Sequence, residues 1–497
     1  MNEWQMILPE IMLGFTALVL LVLEIVLGKK NHELIPSISI AAQLGIGSAL
    51  FWNFRSGIDY DGFCGLLRYT TTTQFLRLFF VLTSVLVSYI GLISLRRQQL
   101  PRIEFFHLVL VVTAAMMLLS QSNHFISFFV LLETVAIGFT ILVSYYRNSS
   151  ASLEAGLKYL LLGGLSSAIM LFGITLLYGV STTKGLPGAS GSLAAFHFDA
   201  LRMFLHANPG NLMASVGIVM VLVGVCFKIG AVPFQIWAPD VYQGAPTPVT
   251  AFLAVGSKAA GFSVLLTLAL GAFAPYQTLV VTVLSVIAGA TILFGNIAAL
   301  GQHNVKRLMA LSGVSHAGYL LLGVIALYEV PMALGAIVFY LFAYLLAAMA
   351  VFGVMAHVAG DNDSDQTLEH YADLTRRQPF LAAVLVIALG SLAGIPPLAG
   401  FIGKLLVFIS AFKAGMYPLL VVAIIGVVIS IYYYFGWIKA AFFSAWRVPA
   451  PAGEQPAAPA PIAVSPSAMI TLGSLVIATL VLGFYQGNFG HWLLGGR

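Results

Sequence analysis

Charged side chains are nearly missing from this chain. Asp, Glu, Lys and Arg make up 8% of its 497 residues while 60% are hydrophobic, against about 25% charged residues in ordinary soluble domains. Too few water-binding groups are present to coat a globule, and the composition reads as a polytopic membrane protein. Cysteine is almost as scarce: Cys64 and Cys226 stand far apart, which excludes a disulfide framework and a cysteine-ligated iron–sulfur cluster. Any redox centre therefore belongs to another chain. No complete G-x-G-x-x-G fingerprint and no Walker loop occurs, so nothing points to dinucleotide or nucleotide binding here. The basic residues are scattered among short connections rather than gathered in a stripe, and nothing calls for nucleic acid. The first apolar stretch has no basic leader and carries Glu10 and Glu24; it is expected to be retained as a helix rather than cleaved.

Long apolar runs are what the chain has in abundance. A spanning helix needs about 20 mostly apolar residues, and fourteen runs qualify: 7–28, 34–53, 74–95, 104–120, 124–146, 154–179, 212–238, 248–273, 277–299, 303–328, 331–358, 379–412, 417–445 and 466–487. Counting Lys and Arg outside these runs gives twelve on one side (Lys29, Lys30, Arg96, Arg97, Arg102, Arg147, Lys306, Arg307, Arg376, Arg377, Lys439, Arg447) and seven on the other (Arg55, Arg68, Arg77, Lys184, Arg202, Lys413, Arg497). The richer side is expected to be cytoplasmic, with both termini on the periplasmic side.

Three connections stand out. Residues 181–211 are Gly-rich and then amphipathic over Ala194–His206, as expected of a short helix lying along the outer face. The acidic run Asp361-Asn362-Asp363-Ser364-Asp365 reads as a solvated loop, since no spaced glutamate completes a calcium loop. Residues 449–466 are rich in Pro and Ala and read as an extended tether to the last helix.

Against this apolar background a few ionisable residues fall inside the runs: Glu133, Lys158, Lys228, Lys258 and Lys404. A charged residue at the bilayer centre costs roughly 2.5–3.5 kcal/mol on insertion scales, so each is a functional candidate by default. They point to ion or proton movement through the membrane. Lys228 precedes Gly230 and Pro233, and Lys404 follows Gly394, Pro396 and Pro397. Proline removes a backbone donor, and helices broken at the midplane are what transporters use to build ion sites. The two interrupted runs lie five helices apart, an odd number, so the second would enter the membrane from the opposite side. The expectation is an all-α polytopic membrane protein of about fourteen transmembrane helices, with two inverted five-helix repeats (helices 4–8 and 9–13) and discontinuous helices 7 and 12. As one transmembrane domain it divides into helices 1–3 over 1–103, a first repeat over 104–273, a second over 277–445, the loop 449–466 and a C-terminal helix in 466–497.

The remaining candidates have competing readings. Lys258 is surrounded by small residues that permit close helix packing; an amine there is pulled down by desolvation and up by any carboxylate, and so suits loading and releasing protons. Lys158 follows Glu154 by four residues and reads equally well as half of a local pair. His316 is either a relay or an interhelical hydrogen-bonding group. Lys306, beside Arg307 at a helix mouth, is either topogenic or a cytoplasmic proton entrance.

Three stretches carry a resemblance: Lys228 to Val249, with Ile236-Trp237-Ala238-Pro239-Asp240; Asn304-Val305-Lys306-Arg307 with Ser315-His316-Ala317-Gly318-Tyr319; and Leu392-Ala393-Gly394-Ile395-Pro396 with Gly400-Phe401-Ile402-Gly403-Lys404. Together they resemble the antiporter-like subunits of respiratory complex I over nearly the whole chain. The length, the absence of room for a lateral helix, and lysine at 258 and 404 choose the fourteen-helix member over its two paralogues; the plastid and cyanobacterial counterpart is an alternative. The resemblance implies a non-redox subunit of a proton-translocating NADH:quinone oxidoreductase, with FMN, iron–sulfur clusters and quinone held by partner subunits. It implies neighbours among the other membrane subunits, an antiporter-like one included, in the bacterial inner membrane. It also implies roles: Glu133 and Lys228 as a coupled pair, Lys258 as central relay, Lys404 nearer the exit or the next subunit. The same motifs resemble multisubunit cation/proton antiporters, in which sodium would exchange for protons with no redox partner.

Overall fold

The computed structural model describes residues 3–26, 34–55, 57–98, 103–183, 196–359, 363–443 and 461–487. Its membrane helices, here α1–α14, are Leu8–Val26, Leu34–Trp52, Thr71–Arg97, Ile103–Ser120, Phe125–Val143, Ser150–Thr183, Leu212–Ile229 (α7a, followed by Trp237–Gly244, α7b), Thr247–Ala272, Gln277–Ala299, Val305–Ala326, Ala333–Val358, Pro379–Ala393 (α12a, followed by Ala399–Lys413, α12b), Tyr417–Phe442 and Pro466–Phe484. Twelve of the helices are long and apolar enough to cross a membrane unaided. The fourth is short, and the twelfth reaches across only as two pieces. Helices 7 and 12 are both discontinuous. Each first piece ends on a glycine in the left-handed region, Gly230 at φ 72° and Gly394 at φ 85°, and each break contains a cis proline, Val232-Pro233 and Pro396-Pro397.

Burial sorts these helices. α8, α10 and α11 are enclosed, with 89%, 100% and 94% of their spanning windows buried, whereas α1, α13 and α14 lie at the periphery. The enclosed helices carry Lys258, Lys306 and His316, polar groups that an apolar bilayer would reject, where neighbouring helices replace lipid.

The two inverted repeats meet their own loops in matching ways. His124, which caps α5, forms an isolated β-bridge with His197 of the α6–α7 connection; Asn304, which caps α10, forms one with Thr367 of the α11–α12 connection. These contacts lie at opposite ends of the bundle. The end bearing Arg97 and His357 is called the basic face below.

Departures from the sequence expectations are informative. A two-stranded antiparallel hairpin, Asp59–Gly62 with Leu67–Thr70, precedes α3, the only strands among the described residues. Arg68 closes it by donating to both carboxylate oxygens of Asp59, at 2.9 and 2.8 Å. The amphipathic surface helix is Phe198–Ala207; residues 194–195 of the expected segment lie outside the described residues, as do 449–460 of the tether and Asp361 and Asn362 of the acidic run.

Arg77, counted as a loop residue, is inside. Its guanidinium donates to both oxygens of Glu10 at 2.7 Å and to the Met6 carbonyl at 2.9 Å, and Gln121 donates to the same carboxylate. The pair is almost fully enclosed, at 1% and 2% side-chain exposure. It fastens α1 to α3 and α4. Lys306, also counted as a loop residue, is likewise fully buried, and so is Asp363 from the supposedly solvated acidic run; they pair at 2.7 Å. Burial alone would raise the Asp363 pKa, but Lys306 and two hydrogen bonds from Thr247 outweigh it and hold the carboxyl below its ordinary value. Both lysine and arginine corrections remove one residue from each side of the topology count, so the bias survives.

Arg77→Ala would leave the Glu10 carboxylate buried and unmatched, an effect of about 3–5 kcal/mol for buried pairs. We expect the melting temperature of the purified assembly to fall, and a Glu10→Gln/Arg77→Met double variant to fall less. Equal loss in both would show that packing, not charge pairing, fastens α1.

Candidate functional site

The two broken helices hold their lysines differently. At the α12 break, Lys404 folds back from α12b and its amine donates to the carbonyls of Leu392 and Ala393, at 2.8 and 3.0 Å. These are last-turn carbonyls of α12a, which have no partner within their own helix, and the helix dipole favours a cation there. Gly394 makes the approach possible: a Cβ at this position would fall 3.0 Å from Lys404 Cδ. At the α7 break the carbonyls three and four residues before the glycine are taken up by local donors, as are their counterparts Ser391 and Gly390 at the α12 break. The Trp237 indole and the Gly230 amide both donate to the Phe227 carbonyl, at 3.1 Å each, and the Ala231 amide donates to that of Cys226.

Lys228 is held more loosely than Lys404. It sits in the last turn of α7a, 6% exposed, with its amine 3.9 Å from a Glu133 oxygen and no hydrogen-bond partner. Glu133 in turn accepts a short hydrogen bond from the Ser167 hydroxyl of α6. Its side chain is 27% exposed on the outer surface of the bundle. An ammonium and a carboxylate at this separation attract without being locked by a hydrogen bond, which requires about 2.7–3.2 Å.

A second group lies deeper. α8 passes through a π-helical turn, Leu253–Ser257, immediately before Lys258; single π turns inside α-helices recur at functional sites. Lys258 donates to the carbonyl of Gly313 in α10 and stands 4.9 Å above the Tyr344 ring. The Tyr344 ring is 4.9 Å from that of His316. His316 bonds Tyr340 through Nδ1 at 2.7 Å and Tyr434 through Nε2 at 3.2 Å. On its other flank lies Tyr319, with ring centroids 6.1 Å apart, and Lys404 stands 5.2 Å above Tyr319. Lys258 and Lys404 are thus joined through an enclosed cluster of one imidazole and four phenols. No hydrogen bond joins Lys228 to Lys258 among the described residues.

The structure therefore brings Glu133 to Lys228, and Lys258 to His316 and Lys404. It sets Lys158 and Lys306 apart. Lys158 is 40% exposed near the basic face, bridging Glu154 at 2.7 Å and Asp240 at 2.6 Å, with Arg307 on the other oxygen of Asp240. It is a surface ion-pair network and not a lysine enclosed in the bundle, because α6 presents this turn outward. Pro233 and the pair Pro396 and Pro397 lie within the two breaks. The tyrosines were missed. Their signal was present, since Tyr340 and Tyr344 share one face of α11 at i, i+4 spacing, and a tyrosine hydroxyl inside a membrane requires a partner. Among the described residues no group of three or more His, Cys, Asp or Glu converges on a metal-sized site.

Such an arrangement, paired broken helices with amines buried between them, defines an antiporter-like membrane subunit. Residues 122–430 match the family described as the transmembrane part of NADH:quinone oxidoreductase and Mrp antiporters. The chain is 60% identical over 496 residues to NADH-quinone oxidoreductase subunit N 1 of Opitutus terrae, covering 99% of this chain and 97% of that one. The fold superposes on a chain of respiratory complex I from Thermus thermophilus with bound aureothin, at a TM-score of 0.79 and 30% identity, covering 98% of this chain and 100% of that chain. It also superposes on a chain of the Mrp complex of a Dietzia species, at a TM-score of 0.78 and 20% identity over 100% and 97% of the two chains, a likeness of fold alone. The chain belongs to the family of NADH-quinone oxidoreductase subunit N.

Gly313 offers a selective test of the Lys258 seat. A Cβ there would lie 2.9 Å from the Lys258 amine, which can swing aside at little cost to packing. Gly313→Ala is expected to leave assembly on a native gel intact and to lower proton pumping about tenfold or more, since a hydrogen bond to a charged group is worth roughly 1.5–3 kcal/mol. Unchanged pumping would mean that the carbonyl seat is dispensable.

Proposed function

We propose that this chain is a proton-translocating, non-redox membrane subunit of NADH:quinone oxidoreductase. Electron transfer from NADH to quinone takes place in partner subunits that hold FMN, iron–sulfur clusters and quinone, and the free energy reaches this chain as a change in the field at Glu133. The reading rests above all on one contrast. The Lys228 amine is buried with only a distant carboxylate, while Lys404 is held by backbone carbonyls that cannot titrate.

Charge displacement is sufficient to drive the stroke. Two unit charges about 4 Å apart attract by roughly 4 kcal/mol at an effective dielectric constant near 20, and driving a proton across the membrane costs roughly 2.3 kcal/mol per 100 mV. Drawing the Glu133 charge away from Lys228 removes most of that attraction and favours release of the lysine proton. Lys258 receives the proton, His316 with its tyrosines carries it across the cluster, and Lys404 holds it nearer the exit. Water must bridge the interval between Lys228 and Lys258. The partly exposed Glu133 is where a neighbouring membrane subunit would act.

The subunit occupies the bacterial inner membrane as a single transmembrane domain with the divisions given above, its basic face cytoplasmic and both termini periplasmic. Its neighbours are an antiporter-like subunit and small membrane subunits within the bilayer.

Inverted membrane vesicles distinguish this reading from sodium/proton exchange. NADH is expected to drive proton uptake that needs quinone, and Lys404→Ala in an assembled complex to abolish it. Proton movement driven by a sodium gradient without NADH, and lost in the same variant, would favour the antiporter.

A further inference from the structure

The junction between α7b and α8 lies at the basic face, where one helix ends and the next begins within a few residues. Its two buried helix ends carry opposite partial charge, carbonyls at the end of α7b and amides at the start of α8. One ion pair fills the gap. Lys306 donates to the Ala245 carbonyl at the end of α7b, at 2.8 Å, and to Asp363 at 2.7 Å. Asp363 accepts from the Thr247 amide, at 2.8 Å, and from the Thr247 hydroxyl, at 2.7 Å, at the first residue of α8. Gln366 donates to Asp363 as well and is itself held by the Tyr371 hydroxyl. The cation faces the carbonyl end and the anion the amide end. Neither charge comes from the first repeat: Lys306 opens α10, and Asp363 belongs to the α11–α12 connection.

That connection is itself secured. Val305 donates to the Gln366 carbonyl, Leu368 to that of His303, and Asn304 to that of Ser364. Among the described residues the matching connection at the opposite face has no such buried pair: there Asn123 donates to Asp199 at 3.5 Å, and Asp199, half exposed, faces Arg68 at 3.8 Å. The ion pair thus belongs to one of two otherwise equivalent ends of the bundle.

We propose that Asp363, through Lys306, is a positioning residue: the second repeat uses this pair as a clamp that fixes the α7b–α8 junction and, along α8, the depth of Lys258. Lys306 in this arrangement is a fixed cation and not a proton carrier. The inference rests on the role of Lys258 in the proposed proton path, and the experiment separates the two.

Asp363→Asn leaves a buried lysine facing a neutral amide. Lys306→Met/Asp363→Asn removes both charges, and removing a buried pair together disturbs a structure far less than stranding one partner. In membranes with the complex verified on a native gel, we expect NADH-driven pumping to fall about tenfold or more in Asp363→Asn and to return to within about threefold of wild type in the double variant, in keeping with that asymmetry. Asp363→Glu should retain most activity. In assembled Asp363→Asn the pH profile of NADH:quinone turnover should shift along the pH axis, because Lys258 moves; a loss of intact complex alone would scale the profile without moving it.

A double variant as inactive as Asp363→Asn, or one that does not assemble, overturns the clamp, as does unaltered pumping or an unmoved pH profile in Asp363→Asn. Lys258→Ala serves as the control on the underlying path. Full pumping in Lys258→Ala refutes the role of Lys258, whereas loss there together with a dead double variant refutes the clamp alone.

Discussion

An ammonium ion in an apolar bundle must be neutralised, hydrogen-bonded or deprotonated, and much of this structure follows from how each lysine meets that requirement. In water the choice does not arise. Inside a membrane, with water excluded, the protein must supply the partner, and continuous helices offer few backbone carbonyls because each is already bonded four residues on; Lys258 shares that of Gly313. Breaking a helix releases carbonyls. The α12 break releases those of Leu392 and Ala393, and Lys404 takes both. The α7 break has the same Gly-x-x-Pro pattern, but its lysine lies within the last turn of the first piece instead of folding back onto that turn from the second. Lys228 is left to Glu133, the one partner in the row that can itself change charge.

The two repeats are therefore similar in backbone and different in chemistry. Lys228 stands before its glycine and Lys404 after its own, so the repeat does not duplicate a lysine site but places one lysine on either side of a common break. Between them, the enclosed helices α8, α10 and α11, with Tyr434 from α13, hold Lys258, His316 and the tyrosines in contact with one another. That cluster combines a backbone-seated amine at each end with groups in the middle whose protons can be exchanged, as a relay needs. Lys258, His316 and Lys404 are linked through ring contacts, whereas no hydrogen bond or ring contact links Lys228 to Lys258 among the described residues; that is the interval across which the state of Glu133 has to be felt.

Much of this was legible in the sequence because it depends on local properties. Apolar runs set the fourteen helices, Gly and Pro set the two breaks, and lysines inside apolar runs mark themselves. What the sequence concealed depends on pairing between distant residues. Arg77 and Lys306 look topogenic because their partners, Glu10 and Asp363, are 67 and 57 positions away, and a charge count cannot tell a solvated charge from a buried, matched one. Lys158 misled in the opposite direction, since an apolar neighbourhood in sequence does not say which way a helix faces. The tyrosines counted as hydrophobic, although each brings a hydroxyl that is costly to leave unbonded in a membrane interior.

The central claim is that the loosely held amine of Lys228 lies in a tightly coupled proton path. NADH-driven proton pumping measured together with NADH:quinone turnover, in membranes whose complex carries Lys228→Ala and is assembled on a native gel, tests it most directly. The account predicts that both fall together. Pumping and turnover at wild-type levels in that variant would contradict it and make Lys228 a structural residue.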